Sequence, residues 1–272
     1  MPGVILTVLD HPEAAGAVLA ASRRLAVLTG ATHINALLVR TPADAGMAQS
    51  EEILTAEREA ELDAAEAKRA AAALVAFNAW LPATQQVGIE AEWIDVDGIA
   101  QQVVEERGSR ADFVVLGQPA QNEYGTSWHA MRAALFATHR PMLVVPTAAT
   151  EDFGRRVAIA WRDDEQTTKA VLAGLRCLAQ AEHVFVLSGV RIGSATPAMP
   201  AILAEHGVSA ELQTLSLGLG ALGPALLDKV HEVGADMLVM GAYMHSPLRE
   251  FLFGGVTRHM LTHADIPLLM RH

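Results

Sequence analysis

The sequence predicts an α/β protein with two tandem doubly wound domains, each built on a parallel sheet. A segment made of an Ala-Asp turn, a short apolar run and a glycine occurs twice, at 111–117 and at 235–241. A proline and a second apolar run follow each copy, at 141–145 and at 267–270. Continuous apolar runs of this length are typical of parallel strands that are buried on both faces. Because helical patterns alternate with these runs, we expect helices on both faces of each sheet.

Both halves follow the same order of elements. The first half has predicted strands over 4–9, 33–39, 89–94, 111–117 and 142–145, and helices over 13–29, 48–80 and 98–108. The second half has strands over 157–161, 183–188, 209–215, 235–241 and 267–270, and helices over 165–180, 198–206 and 224–233. The first half carries extra residues that include the charged segment 47–69, for which we expect a helix with one solvated face. The polar stretch after Pro146 separates domain 1–147 from domain 154–272.

Charge and cysteine content exclude several kinds of site. The chain has 20 Lys and Arg against 31 Asp and Glu, a net charge of −11. Phosphate backbones and anionic lipids repel such a chain, so we expect neither nucleic-acid nor membrane binding. The single cysteine, Cys177, excludes internal disulfides and a four-cysteine zinc site, and its apolar neighbours predict a buried, unreactive thiol. Because the sequence shows neither a signal peptide nor a long apolar run, we expect a cytoplasmic protein.

The segment after the second copy of the repeated strand carries the strongest sign of a ligand. Gly241 ends that strand, and Gly254 with Gly255 opens the next helix, which has Thr257 in its first turn. In open α/β sheets, ligands bind beyond the carboxyl ends of the strands. Paired glycines at a helix N-terminus can hold an anion, and Arg249 could add positive charge. A glycine-rich turn that only packs strand against helix explains the same residues equally well.

This segment resembles the nucleotide-binding loop of the universal stress protein family. That loop has a glycine, two residues, a second glycine, nine residues, a third glycine and then Ser or Thr, and it closes with Val-Thr or Val-Ser. Gly241 matches the first glycine, Gly254 the third, and Val256 with Thr257 the closing pair. Met240 falls where the family lines its nucleotide pocket. The resemblance covers both halves and implies a tandem universal stress protein of adenine nucleotide alpha hydrolase-like fold, with ATP or a related adenine nucleotide as ligand, with or without magnesium.

The second half departs from the family's pattern in ways that bear on binding. Met244 stands at the second glycine, and Gly255 replaces the Ser or Thr after the third. Where nucleotide-binding members carry an Asp after the first strand, this chain has Arg162, with Asp163 one residue further. Trp161 before them could equally stack on a base or fill the core. The resemblance implies an altered site made of Trp161, Asp163, Met240, Gly241, Met244, Arg249, Gly254, Gly255, Val256 and Thr257.

The first half shows the opposite combination of features. Asp10 fits the acid after the first strand, whereas the segment after Gly117 lacks the glycine spacing. We therefore expect no phosphate site of the family's kind in domain 1–147. Asp10 is then predicted to be a turn residue or the N-cap of the helix that follows Pro12.

The resemblance suggests a stress-response protein that binds an adenine nucleotide through domain 154–272. Any ATP hydrolysis is expected to be slow, because no base is placed to activate water. The alternative is a scaffold or partner-binding stress protein with a decayed nucleotide site. The halves are expected to pair with each other as the family's dimers do, through their last strands, and two chains could pair further into a homodimer. His259 and His263 could share a metal, but two polar helix positions explain them as well, so we assign no metal site.

Overall fold

The computed structural model describes residues 3–41, 55–119, 126–147, 151–190, 197–216, 221–242 and 255–272. The chain divides into two compact units. Unit 1 comprises Met1–Gly117 with Asn122–Arg140, and unit 2 comprises Gln118–Gln121 with Pro141–His272. None of the helices in the described ranges is both long enough and apolar enough to cross a membrane.

Unit 1 is an alternating series of strands and helices. Its elements are β1 (Gly3–Val8), α1 (Pro12–Thr29), β2 (Ala31–Arg40), α2 (Ala56–Gln86), β3 (Glu90–Asp97), α3 (Ala100–Gly108), β4 (Phe113–Gly117), α4 (Thr126–Arg132) and a π-helical segment, Ala133–Ala137. The described strands are all parallel and lie in the order β3-β2-β1-β4. Apart from the partly buried Val4, the apolar side chains of β1 and β4 are buried, as expected for central strands that helices cover on both faces.

Unit 2 repeats this plan and extends it by two strands. Its elements are β5 (Met142–Val145), β6 (Arg156–Trp161), α5 (Glu165–Gln180), β7 (His183–Val190), α6 (Ala201–Glu205), β8 (Glu211–Ser216), α7 (Leu222–Glu232), β9 (Met237–Gly241), α8 (Gly255–His263) and β10 (Leu268–Arg271). The strand order is β5-β10-β9-β6-β7-β8. β5 pairs antiparallel with β10, and the other described pairs are parallel.

The predicted fold class is confirmed. The order β3-β2-β1-β4 of unit 1 corresponds to β8-β7-β6-β9 of unit 2, which is consistent with a tandem arrangement. The bounds 1–147 and 154–272 stay a prediction, and β5 belongs to unit 2, where Val144 lies opposite Leu268 of β10. Whether this pairing reproduces the family's dimer contact also stays a prediction.

The repeated Ala-Asp dipeptide has a structural role in both units, because it fastens the start of one strand to its neighbour. In unit 1, the Asp112 carboxylate accepts a hydrogen bond from the Val4 N–H at 2.8 Å. In unit 2, the Asp236 carboxylate accepts from the N–H groups of Gly154 at 2.7 Å and Arg156 at 3.1 Å. The dipeptide thus fixes the alignment of β1 with β4 and of β6 with β9.

Several element boundaries differ from the sequence prediction. α5 runs over 165–180 as predicted, whereas α7 begins at Leu222 instead of Pro224, since proline is tolerated within a first helical turn. α6 covers only Ala201–Glu205 of the predicted helix 198–206. The helical residues of 126–137 were not predicted, because so short a segment is held by packing against α3 and shows no long apolar period.

Helix α2 differs most from its prediction. The predicted range was 48–80, but the described helix is Ala56–Gln86 and continues through Pro82, and residues 48–54 lie outside the described residues. Its buried stripe packs against α1, β2 and β3 and consists of Ala70, Ala73, Phe77, Trp80 and Thr84. Among the large apolar side chains of α2, Phe77 is buried, whereas Leu62, Leu74 and Val75 are exposed. Small residues form most of the buried stripe because α2 lies close to α1 and the sheet.

Candidate functional site

The carboxyl ends of β6 and β9 form the expected ligand edge of unit 2. From β6 the chain runs outward through β7 to β8 and then returns to β9, on the other side of β6. Such a reversal of strand order opens a crevice at the carboxyl ends of the two central strands. Trp161 ends β6 and is partly buried, and Gly241 ends β9 directly after the buried Met240. The structure therefore brings Trp161, Met240 and Gly241 to one edge.

Gly241 lies too close to helix α5 to carry a side chain. A Cβ on Gly241 would lie 2.7 Å from the backbone nitrogen of Thr167 and 2.8 Å from the carbonyl carbon of Gln166. Both contacts are with backbone, which cannot rotate away as a side-chain tip can. Close packing of β9 against α5 therefore explains why this residue is a glycine. The same packing brings the first turn of α5 to the ligand edge.

The acid at this edge is Asp164, which was not among the residues predicted from the sequence. Asp164 is the N-cap of α5, and its carboxylate accepts a hydrogen bond from the Thr167 N–H at 2.8 Å. Burial acts to raise the pKa of Asp164, but the bond from Thr167 and the Arg162 guanidinium outweigh it and hold the pKa below its usual value. Asp163, the predicted substitute acid, is exposed. An Asp three residues before a Thr is an N-cap pattern that would have indicated Asp164.

Gly254 and Gly255 were predicted to open a helix, and α8 is described from Gly255, whereas Gly254 lies outside the described residues. Gly255 is exposed, and apart from its chain neighbours and the backbone of its own helix, no atom of the described residues lies within 4 Å of the position that its Cβ would take. The first turn contains no acidic residue, and Arg258 lies in it. Val256 is partly buried, and Thr257 is 7% exposed. The predicted site residues Met244, Arg249 and Gly254 lie outside the described residues.

The two histidines of α8 stack on each other. The rings of His259 and His263 have centroids 4.3 Å apart and planes 12° apart. Burial and the neighbouring His263 lower the pKa of His259, while Asp228 acts in the opposite direction. Within the described residues, no group of three or more His, Cys, Asp or Glu side chains could hold a metal ion. The buried Cys177 of α5 matches the predicted burial of that thiol.

Unit 1 carries a different acid, Asp10, at its own ligand edge, which is formed by the carboxyl ends of its parallel strands. The N-cap of α1 is His11, with no side-chain capping bond, so of the two roles predicted for Asp10, turn residue or N-cap, the N-cap role was wrong. The Asp10 side chain is only 11% exposed, and its Oδ2 has no hydrogen-bond partner among the described residues. Burial raises the pKa of Asp10, although the neighbouring His11 and Ser127 act to lower it. Ser127 Oγ in turn lies 2.6 Å from His11 Nε2.

Arg69 of α2 also reaches the ligand edge of unit 1, a contact that was not predicted from the sequence. One terminal nitrogen donates to the carbonyl oxygens of Leu9 and Asp10, each at 3.1 Å. The other donates to the Val39 carbonyl at 2.6 Å. Glu66 holds the guanidinium from the opposite side, at 2.5 and 2.9 Å. The ends of β1 and β2 are thereby tied to one side chain of α2.

Comparison with known proteins identifies a family that matches part of this chain. The sequence profile of the Universal stress protein family matches residues 144–272. No curated protein matches the chain. Among solved structures, the chain is similar to a universal stress protein from Archaeoglobus fulgidus, with a TM-score of 0.72 and 15% identity over 98% of this chain and 95% of that one. It is also similar to a protein of unknown function from Pseudomonas aeruginosa, with a TM-score of 0.60 and 13% identity over 98% and 92% of the two chains.

The two comparisons support different statements. At 15% and 13% identity, the solved structures show that the fold is shared. The family match concerns the sequence itself and covers β5 to β10 except for the first two residues of β5. We conclude that this chain carries, over residues 144–272, a domain of the universal stress protein family, a family of stress-response proteins.

Proposed function

We propose that unit 2 binds ATP or a related adenine nucleotide, with or without magnesium, and that the chain acts as a nucleotide-responsive stress protein with little or no catalysis. One observation carries this proposal. β9 ends on Gly241 at the ligand crevice, and Gly255 lies in the first described turn of α8, with Thr257 two residues further. The glycine-containing segment therefore connects the crevice to the first turn of a helix.

The first turn of α8 suits a phosphate group. Its N–H groups are unpaired within the helix, and the helix dipole favours negative charge there. The space beside Gly255 is open among the described residues, and Arg258 adds positive charge to the turn. The N-terminus of α5 is less suitable, because the Asp164 carboxylate already accepts from Thr167 there. An anion at this edge is thus expected at α8.

The remaining parts of the nucleotide would contact other sides of the crevice. Gly255, Val256 and Thr257 would hold phosphate through α8, with Gly254, Met244 and Arg249 contributing from the loop. Trp161 offers a partly buried ring at the end of β6, and Met240 offers an apolar surface at the end of β9. These roles follow from the family's loop and stay predictions for this chain. A bound nucleotide would supply charge and shape for a conformational response, not a reacting group.

A scaffold role with a decayed site is the second candidate. Packing against α5 is sufficient to explain Gly241, and Arg162 stands where nucleotide-binding members have an acid. Asp164, the nearby acid, is engaged as the α5 N-cap and in an ion pair with Arg162. Each of these residues has a purely structural use. The two candidates therefore differ in whether nucleotide binds at all.

Calorimetric titration of the full chain with ATP, with and without magnesium, tests the proposal. We expect saturable binding near one site per chain. Gly255→Glu should weaken it at least about 10-fold, since a carboxylate at the α8 N-terminus would repel phosphate. Gly255→Gln is the matched control, because it adds a similar volume in the same open space without charge. Absence of heat and of a thermal shift at millimolar ATP in the unaltered chain would contradict the proposal and favour the scaffold role.

A further inference from the structure

The Arg69 guanidinium in unit 1 is bound as completely as a guanidinium can be. A guanidinium has five N–H donors in a planar fork and no acceptor. Two donors of one terminal nitrogen bond Leu9 and Asp10, one donor of the other bonds Val39, and the remaining edge forms a bidentate pair with Glu66. Every donor direction is therefore used. Such a planar, saturated arrangement is the hallmark of a specific guanidinium site.

The acceptors of this site lie at the ligand edge of the sheet. β1 ends at Val8 and β2 at Arg40, so the carbonyl groups of Leu9, Asp10 and Val39 stand at their carboxyl ends. In a doubly wound sheet this is where ligands bind. The Arg69 side chain comes from a helix between β2 and β3, and its exposed fraction is only 21%. The chain thus places its own cation where a doubly wound unit would hold a ligand.

Arg69 lies just before the buried stripe of α2, so its hydrogen bonds are separate from the core packing of this helix. The buried stripe of α2 begins at Ala70, one residue further along the helix. Before Arg69, residues 55–68 are exposed except Glu66, which is partly buried. The Arg69–Glu66 pair is thus the first point at which α2 meets the body of unit 1. Loss of the guanidinium should leave the packing of Ala70 to Thr84 in place.

We propose that the carboxyl end of β1 and β2 is a binding site for a guanidinium or a similarly planar cation with several N–H donors, and that Arg69 occupies it as an internal ligand. While Arg69 is bound, the site is closed to small molecules. Without it, the carbonyl oxygens of Leu9, Asp10 and Val39 and the Glu66 carboxylate face the vacated space. This inference concerns unit 1 and does not depend on nucleotide binding by unit 2.

Chemical rescue of an Arg69→Ala variant by free guanidinium tests the proposal. The full-length variant should melt about 4 °C below the unaltered chain, since several charge-assisted hydrogen bonds are lost. Guanidinium chloride at low millimolar concentration, far below its denaturing range, should recover part of this shift. Tetramethylammonium chloride at equal ionic strength should recover none, because it has no N–H donor.

A matched variant and a second substitution complete the experiment. Arg58→Ala removes an arginine from the same helix whose guanidinium, among the described residues, bonds the exposed Glu61, and guanidinium should not change the melting temperature of this variant. If Arg69→Ala does not fold, Arg69→Met retains the aliphatic stem and allows the same comparison of salts. A failure of guanidinium to raise the melting temperature of the Arg69 variant above the tetramethylammonium value would overturn the proposal. An equal rise in Arg58→Ala would overturn it too.

Discussion

Units 1 and 2 each have an aspartate shortly after a corresponding strand, Asp10 after β1 and Asp164 after β6. Both side chains are 11% exposed. Asp164 accepts a backbone N–H and pairs with Arg162, so its pKa falls below the usual value. Asp10 has one carboxylate oxygen without a hydrogen-bond partner among the described residues, and burial raises its pKa. Similar side-chain exposure therefore accompanies opposite pKa shifts, because hydrogen bonds outweigh burial at Asp164, whereas burial outweighs His11 and Ser127 at Asp10.

The glycines that end the corresponding strands β4 and β9 differ in a related way. A Cβ on Gly241 of β9 would meet the backbone of α5 at 2.7 Å, whereas one on Gly117 of β4 would meet the side chain of Ala14 at 3.4 Å. In unit 2 the helix begins tightly against the ligand edge, and its own acid caps it. In unit 1 more space remains at that edge, and the side chain of Arg69 reaches it from α2. The same topology thus leads to two different ligand edges.

The largest expected difference between the units follows from these glycines. Gly241→Ala should lower the free energy of unfolding by about 2–3 kcal/mol, because the added methyl group would overlap backbone atoms that cannot move independently. Gly117→Ala should change it by less than about 1 kcal/mol. Urea denaturation of both full-length variants measures the two values. Equal losses would show that the close approach of α5 to β9 does not distinguish the units.

The capping role of Asp164 should give the next largest effect. Asp164→Ala is expected to cost about 1 kcal/mol of stability at neutral pH, since the Thr167 N–H loses its acceptor. Because the folded-state pKa lies below the usual value of 3.8, this contribution is present above that pH and is lost as the pH falls through the folded-state pKa. Denaturation measured from acidic to neutral pH would show the trend.

The neighbouring Asp163 is the control for this measurement. Asp163 is exposed, so Asp163→Ala should remain within about 0.5 kcal/mol of the unaltered chain. A loss from Asp163→Ala as large as that from Asp164→Ala would mean that the turn differs from the described one. Asp163 would then again be the candidate acid of the site.

The smallest effect, with the opposite sign, is expected at Asp10. Because its folded-state pKa is raised, ionisation of Asp10 costs stability as the pH rises through that pKa. Asp10→Asn keeps the shape and an acceptor for Ser127 but cannot ionise. The variant should therefore be more stable than the unaltered chain at neutral pH and gain nothing below pH 3.8, where an ordinary Asp is itself protonated. A thermal unfolding series over pH measures this gain, and a uniform loss of stability would contradict the assignment.

Much of the fold could be predicted from local patterns. Short apolar runs and their repeat predicted the parallel strands, and α5 covers the predicted range 165–180. The extent of α2 was not predicted, since Pro82 suggested an end that packing of Trp80 and Thr84 overrides. The helical residues of 126–137 escaped prediction because packing on α3 holds them.

The candidate site could be predicted only in part. Gly241, Gly255 and Thr257 were found from their spacing, and the structure shows them at a strand end and in a helical first turn. Asp163 was predicted instead of Asp164, because Asp163 directly follows Arg162, which stands at the position of the family's acid. The sequence alone does not show that Asp163 is exposed and Asp164 is partly buried. Arg69 was missed entirely, since α2 is far in sequence from Leu9 and adjacent to it only in the folded unit.

The sequence by itself determined the fold class, the alternation of strands and helices, and the place of the glycine-containing loop, because apolar periodicity and glycine positions act over a few neighbouring residues. Only the tertiary structure decided that hydrogen bonds outweigh burial at Asp164 and that burial outweighs the neighbouring groups at Asp10. It also decided that Arg69 joins the ends of β1 and β2. Hydrogen bonds and burial depend on groups brought together from distant parts of the chain, so no local pattern contains them.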